Sequence, residues 1–120
     1  MARVVVVDEK DKVVGVVEKK EALSNGLIRR VVRIFVFNRK GELYLQKRSD
    51  KVDTYPNTWD QSVGGHVDEG ESYDKAAKRE LSEELGIEKI PLKKITKFYI
   101  EQEFNGKLLK EFSTLRVEAV

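Results

Sequence analysis

Three glutamates, Glu80, Glu83 and Glu84, stand at i, i+3 and i+4, and that spacing constrains this chain more than any other feature. On a helix they leave one face within a few ångströms of each other, where like charges repel. The cost grows where water is excluded. A divalent cation cancels it, and an oxygen-only ligand set suits a hard ion such as Mg²⁺ or Mn²⁺. The helix has legible ends: Ser72 suits the N-cap, Asp74 the positive first turn and Gly86 the left-handed position after the last turn. Ala77, Leu81 and Leu85 form an apolar stripe that would anchor it on a sheet while the glutamates edge a cleft. Arg79 beside the cluster and Glu71 one loop earlier are expected to form an ion pair that orients the carboxylates. The competing reading is an ordinary amphipathic helix with a solvated acidic face.

Composition narrows the class. The chain has 120 residues, enough for one domain with a modest core. Charged residues make up 37% but the net charge is only +2, so no basic stripe for specific nucleic-acid binding is expected. There is no cysteine, which excludes a thiol nucleophile, a zinc–thiolate site and disulfides. Apolar runs such as 4–7 are far too short to span a bilayer, and the start of the chain does not read as a signal peptide. A cytoplasmic protein is the expectation.

Around the helix the pattern is strand-rich. Runs at 3–7 and 13–17 flank Asp8-Glu9-Lys10-Asp11-Lys12 as a hairpin, and a short helical turn is expected over 18–24, ended by Asn25-Gly26. Residues 28–37 predict a long strand with one wetter and one drier face. After a turn at 38–41, residues 42–48 are expected to return as one strand with Leu43 and Leu45 on one face. A polar loop over 49–57 ends in Tyr55-Pro56-Asn57, and 59–63 form a short strand running into Gly64-Gly65. Beyond Pro91, residues 95–104 and 107–117 make a hairpin about Asn105-Gly106.

Gly65, Glu71, Arg79-Glu80, Leu81, Glu83-Glu84, Gly86 and Ile87 together resemble the Nudix box at every fixed position. The resemblance covers most of the chain. It implies an α/β fold, the Nudix α/β/α sandwich, with the box helix packed on a mixed β-sheet in a single domain over 1–120. Nudix domains usually continue into a further strand and a C-terminal helix, whereas this chain stops at Val120 on an apolar strand. The C-terminal helix is therefore expected to be absent, leaving either a trimmed domain or a face buried by a partner subunit, as in a homodimer.

The resemblance also implies roles. Glu80, Glu83 and Glu84 become the metal carboxylates, with the carbonyl of Gly64 or Gly65 as a further ligand, since glycine permits close backbone approach. Mg²⁺ or Mn²⁺ would assist attack of water on a small-molecule diphosphate, releasing a nucleoside or other organic monophosphate. Glu80 is the first choice for the general base and Glu83 the second, with Glu101 and Glu103 held in reserve or read as ordinary strand residues. Arg79 and Glu71 orient them. Lys47, Arg48 and Lys51 are the nearest candidate phosphate contacts, and Arg29, Arg30 and Arg33 offer a second basic face; the alternative for each is an ordinary solvated cation, the reading favoured for Lys47 and Lys51.

The stretch from Tyr55 through Trp59, Gly64-Gly65-His66 to Gly70-Glu71-Ser72 is similar to type I isopentenyl-diphosphate isomerases, Nudix-fold relatives that shift a double bond with a cysteine and a glutamate. Here Gly64 stands where that cysteine is expected and Arg29 about where a histidine ligand is expected. His66 reads either as a metal or phosphate contact or as a residue capping the loop through a ring nitrogen, and Trp59 as a core or loop anchor or a base-stacking platform. Three functions follow: a diphosphate hydrolase, which the intact box favours; the isomerase; and a non-catalytic nucleotide-binding module.

Overall fold

A computed structural model describes residues 3–38, 40–47, 49–51, 59–60, 62–88, 92–104 and 106–119. The opening valines make β1 (Arg3–Val7), which pairs antiparallel with β2 (Val13–Glu18) across the expected hairpin. Alternation along β1 points Val5 and Val7 to one face of the sheet and Val4 and Val6 to the other. The short helix α1 (Lys19–Ser24) covers the second face through Ala22. The box helix α2 (Tyr73–Leu85) covers the first through Ala76, Ala77 and Leu81, all buried against Val32, Ile34, Val63 and Val67. The result is a helix–sheet–helix sandwich, as expected, with a thin second helical layer.

β3 (Ile28–Phe37) is the spine. Along one edge it pairs in succession with β1, β7 (Val63–His66) and β4 (Leu43–Tyr44), all antiparallel. Along the other edge it pairs in parallel with β9 (Lys107–Ala119) from Ile28↔Lys110 to Phe37↔Ala119. β8 (Lys93–Phe104) closes that side by the hairpin with β9 at Gly106, whose φ of +76° suits glycine.

Two expected strands are divided. Residues 42–48 break at Leu45 into β4 and β5 (Gln46–Lys47), because β7 already occupies Val31 to Ile34 on the shared edge of β3 and leaves only Val36 and Phe37 free. β5 pairs instead with β6 (Trp59–Asp60) in a separate two-stranded sheet, and Leu43 and Leu45 are exposed rather than facing a core. Residues 59–63 divide likewise into β6 and β7, and β7 runs through the glycine pair instead of ending at it. Trp59 is 68% exposed, so it is not a core anchor. The loop motif Tyr55-Pro56-Asn57 lies outside the described residues.

The three arginines of β3 do not form one basic face. Alternation sends Arg30 to the α2 side, where it bonds the buried Asp11 at 2.8 Å and lies 4.9 Å from the Tyr73 ring centroid. Arg29 and Arg33 go to the opposite side and converge on Glu111, which the parallel register sets directly across from Arg29. Each of these cations is spent on an internal carboxylate.

Candidate active site

Helix α2 begins as its sequence requires. Ser72 Oγ accepts from the Lys75 N–H at 3.2 Å, and Gly86 closes the last turn at φ +67°. With Ala76, Ala77 and Leu81 facing the sheet, Glu80 comes over β7. There it meets glycine for a reason of space. A Cβ on Gly65 would lie 2.8 Å from Glu80 Oε2 and nearer still to Oε1 and Cδ, so the carboxylate occupies the volume that a side chain would need.

Arg79 organises the acidic groups. Its Nε donates to Glu71 Oε2 at 2.6 Å and its Nη2 to Glu71 Oε1 at 2.9 Å, the expected ion pair in bidentate form. Nη2 also donates to the His66 carbonyl at 3.0 Å and pairs with Asp68 at 3.3 Å. Nη1 donates to Glu80 at 2.7 Å and to Glu83 at 3.2 Å. Hydrogen bonding to Glu71 holds the guanidinium charged well beyond its ordinary range and, in return, draws Glu71 below the usual carboxylate range. Glu71 also accepts the Asp68 N–H at 2.9 Å, which ties the turn before the helix into the cluster.

Burial is the main cause that pushes the Glu80 carboxyl up to about 7, reinforced by a hydrogen bond with Glu84 and opposed by Arg79. Asp68 is likewise raised, chiefly by burial. Among the described residues no three carboxylates or histidines already converge on one metal position: Glu83 is drawn toward Arg79, and Glu84 accepts from Gln46 at 2.8 Å. The donor set nonetheless fits a hard dication. Two carboxyls abut, one resists ionisation because of burial and its neighbour, and every available donor is oxygen.

Of the other expected contacts, Lys47 and Lys51 are exposed and Arg48 lies outside the described residues. Gly64 pairs with Arg33 and Gly65 with Val32, and it is Gly65 that carries the Glu80 carboxylate. Glu101 and Glu103 sit on β8, separated from β7 by β3 and β9, or about 14 Å at ordinary strand spacing. That position does not join them to the box. His66 does not cap a loop through its ring: Nε2 lies 2.6 Å from Arg29 Nη1, and burial with the nearby guanidinium lowers its pKa to about 3. The ring is therefore neutral, with Nε2 the acceptor. Two participants, Asp68 and Gln46, were not expected. Asp68 lies in the turn leading to Glu71, where an acidic residue this close to Arg79 was a readable signal; Gln46 carries no local signal.

A mixed sheet carrying a carboxylate-edged helix, with one carboxylate seated on a strand glycine, places the chain in the α/β class whose acidic helix packs on one face of a mixed sheet. The NUDIX domain family matches residues 27–111, and the chain belongs to the Nudix family. An uncharacterised Nudix hydrolase of Pseudomonas aeruginosa is 38% identical over 109 residues, covering 91% of this chain and 64% of its own length. Isopentenyl-diphosphate delta-isomerase 2 of Photorhabdus laumondii is 39% identical over 94 residues, covering 78% of this chain and 52% of its own. The crystal structure of a Deinococcus radiodurans protein superposes with a TM-score of 0.70 at 32% identity, covering 94% of this chain and 71% of that one. The matches span from 40% to 64% of the length of these and other similar curated relatives.

Proposed function

We propose that this chain hydrolyses a diphosphate linkage in a nucleoside diphosphate derivative or similar organic diphosphate, with Mg²⁺ or Mn²⁺ as cofactor. The observation that carries the reading is the Glu80 carboxylate, seated on Gly65, bonded to Arg79 and abutting Glu84. Glu80, Glu83 and Glu84, with the carbonyl of Gly64 or Gly65, are the residues that would hold the ion. Bound there, it supplies Lewis-acid stabilisation of the diphosphate oxygens and a lower pKa for its water.

The remaining work falls to the chain's own groups. Arg79, braced by Glu71, Asp68 and the His66 carbonyl, holds the carboxylates in place. Glu80, seated on Gly65 and held by Arg79, is the first choice to accept the water's proton. Glu83 is the second, and its exposed side chain gives it room to turn. Lys47, Arg48 and Lys51 are assigned to the phosphates. No helix among the described residues is long and apolar enough to cross a membrane. A cytoplasmic location and a freely diffusing small-molecule substrate complete the proposal.

The isomerase reading draws on relatives of that name at 39% and 37% identity. Against it, Gly64 supplies no thiol and the Arg29 guanidinium occupies Nε2 of the only histidine in the sequence. A non-catalytic module would need no intact box, and all three glutamates are present. A panel of diphosphates assayed with Mg²⁺, alongside isopentenyl diphosphate, separates the three. Monophosphate release that is lost in Glu80→Gln is the expected result. Dimethylallyl diphosphate formation above background would establish the isomerase instead, and tight nucleotide binding without turnover would establish the module.

A further inference from the structure

Gln46 lies outside the box, on the two-residue strand β5. Its side-chain nitrogen carries two hydrogens, and both are committed. One goes to the Ser62 carbonyl and the other to Glu84 Oε1 at 2.8 Å. A carbonyl and a carboxylate both accept, so the two partners fix which end of the amide faces them. Ser62 is itself a firm anchor: it is buried, its Oγ accepts the Val36 N–H at 2.8 Å, and its hydroxyl donates to the Tyr44 carbonyl. A continuous chain of bonds therefore runs from β3 and β4 through Ser62 and Gln46 to the box helix. Arg79 holds Glu80 and Glu83, and Gln46 holds Glu84.

The chemistry of the amide matters as much as its position. A lysine or arginine here would place a second cation against Glu84 and compete with a metal ion. An apolar residue would leave the carboxylate unheld. A neutral donor orients the carboxylate and leaves its charge for another partner.

We infer that Gln46 is a positioning residue for the metal-bearing carboxylates, holding Glu84 in place beside Glu80 and thereby setting the affinity of the site for its divalent cation. The inference rests on the hydrolase reading above. It also explains why the β5–β6 pair, separate from the main sheet, is fastened to the box helix.

The test is calorimetric titration of Mn²⁺ into wild type, Gln46→Met, Gln46→Lys and Glu84→Gln, with melting temperature measured on each. Methionine matches glutamine in length and removes the donors; lysine adds a competing charge. About tenfold weaker Mn²⁺ binding is expected in Gln46→Met, and weaker still in Gln46→Lys, with a modest loss of melting temperature in Gln46→Met from the lost bond to the Ser62 carbonyl. In turnover, Gln46→Met should lose kcat at low Mg²⁺ and regain it at high Mg²⁺, with KM for the diphosphate unchanged at saturating metal. A merely structural residue would not be rescued by metal. Wild-type Mn²⁺ affinity in both Gln46 variants, with weakened binding in Glu84→Gln, overturns the role of Gln46 and leaves the hydrolase reading standing. Absence of Mn²⁺ binding in wild type removes that reading and this inference together.

Discussion

Replacing Gly65 with alanine is the sharpest perturbation that this site offers. The added Cβ would lie 2.8 Å from Glu80 Oε2 and closer to Oε1 and Cδ, whereas ordinary van der Waals contact begins at 3.4 Å. Oε2 alone must retreat by 3.4 − 2.8 = 0.6 Å, and the nearer atoms set a displacement of about 1 Å for the carboxylate as a whole. The helix cannot yield instead, because Ala76, Ala77 and Leu81 are packed into the core. Nor is there a backbone penalty, since Gly65 is not among the glycines at positive φ. The strain therefore falls on the Glu80 side chain, which must leave its bond with Arg79 at 2.7 Å. A 1 Å misplacement of a reacting group costs on the order of 10²-fold in rate, or about 2.7 kcal/mol in the barrier. Overpacking costs about 1 kcal/mol of stability at the low end of its range, because one surface of the new methyl faces a movable side chain. Phosphate release from the best diphosphate of the panel, with urea unfolding in parallel, measures both. Gly15→Ala is the control: it also lies in a strand, and its added methyl meets nothing within 4 Å. Activity of Gly65→Ala within about threefold of wild type would refute the seating of Glu80 on this glycine as a catalytic requirement.

Three further outcomes are expected. Glu80 is raised from the ordinary carboxylate range to about 7, so the folded state binds more protons than the unfolded one in that window. Its contribution is fully present below the ordinary value and is lost as pH rises through 7, by on the order of 3 kcal/mol at most. Urea unfolding in chelator should show stability falling from pH 5 to 8 in wild type, more steeply than in Glu80→Gln, with Mg²⁺ restoring it at pH 8; parallel profiles for the two proteins would contradict the burial argument. Arg79→Lys keeps the charge but not the fork that spans Glu71, the His66 carbonyl and Glu80, so kcat should fall on the order of 10²-fold while unfolding free energy changes by about 1 kcal/mol. Comparable losses in both would make Arg79 a structural residue. Ser62→Ala strands the buried Val36 N–H and should cost about 1–3 kcal/mol by denaturant unfolding, and a neutral result would show that the bond contributes nothing net.

The box and its helix were readable because their determinants are local. Ser72, Gly86 and the alanine–leucine stripe act within a few turns of one another, and the three glutamates share a face by helical geometry alone. The Arg79–Glu71 pair was readable for the same reason, since one turn and two helical turns separate its partners. The strands at 3–7 and 28–37 followed from β-branched runs. Which strand lies beside which was not written locally. The parallel pairing of β3 with β9 joins residues about eighty apart, and it is this register that turns Arg29 and Arg33 from a supposed basic face into partners of Glu111. Competition for one edge of β3 likewise broke residues 42–48 at Leu45, which no propensity at Leu45 foretells.

The sequence by itself determined the chemistry on offer: a helix with three carboxylates on one side, an arginine to hold them, glycines ahead of it and no thiol anywhere. Only the tertiary structure decided how that chemistry is held. It put the Glu80 carboxylate in the space left by Gly65, brought the Gln46 amide from 38 residues away to Glu84, and tied His66 Nε2 to Arg29. The physical reason is reach. Capping, periodicity and charge spacing act over one or two turns, whereas strand order and the contacts it creates depend on which edges remain unpaired once the whole sheet is assembled.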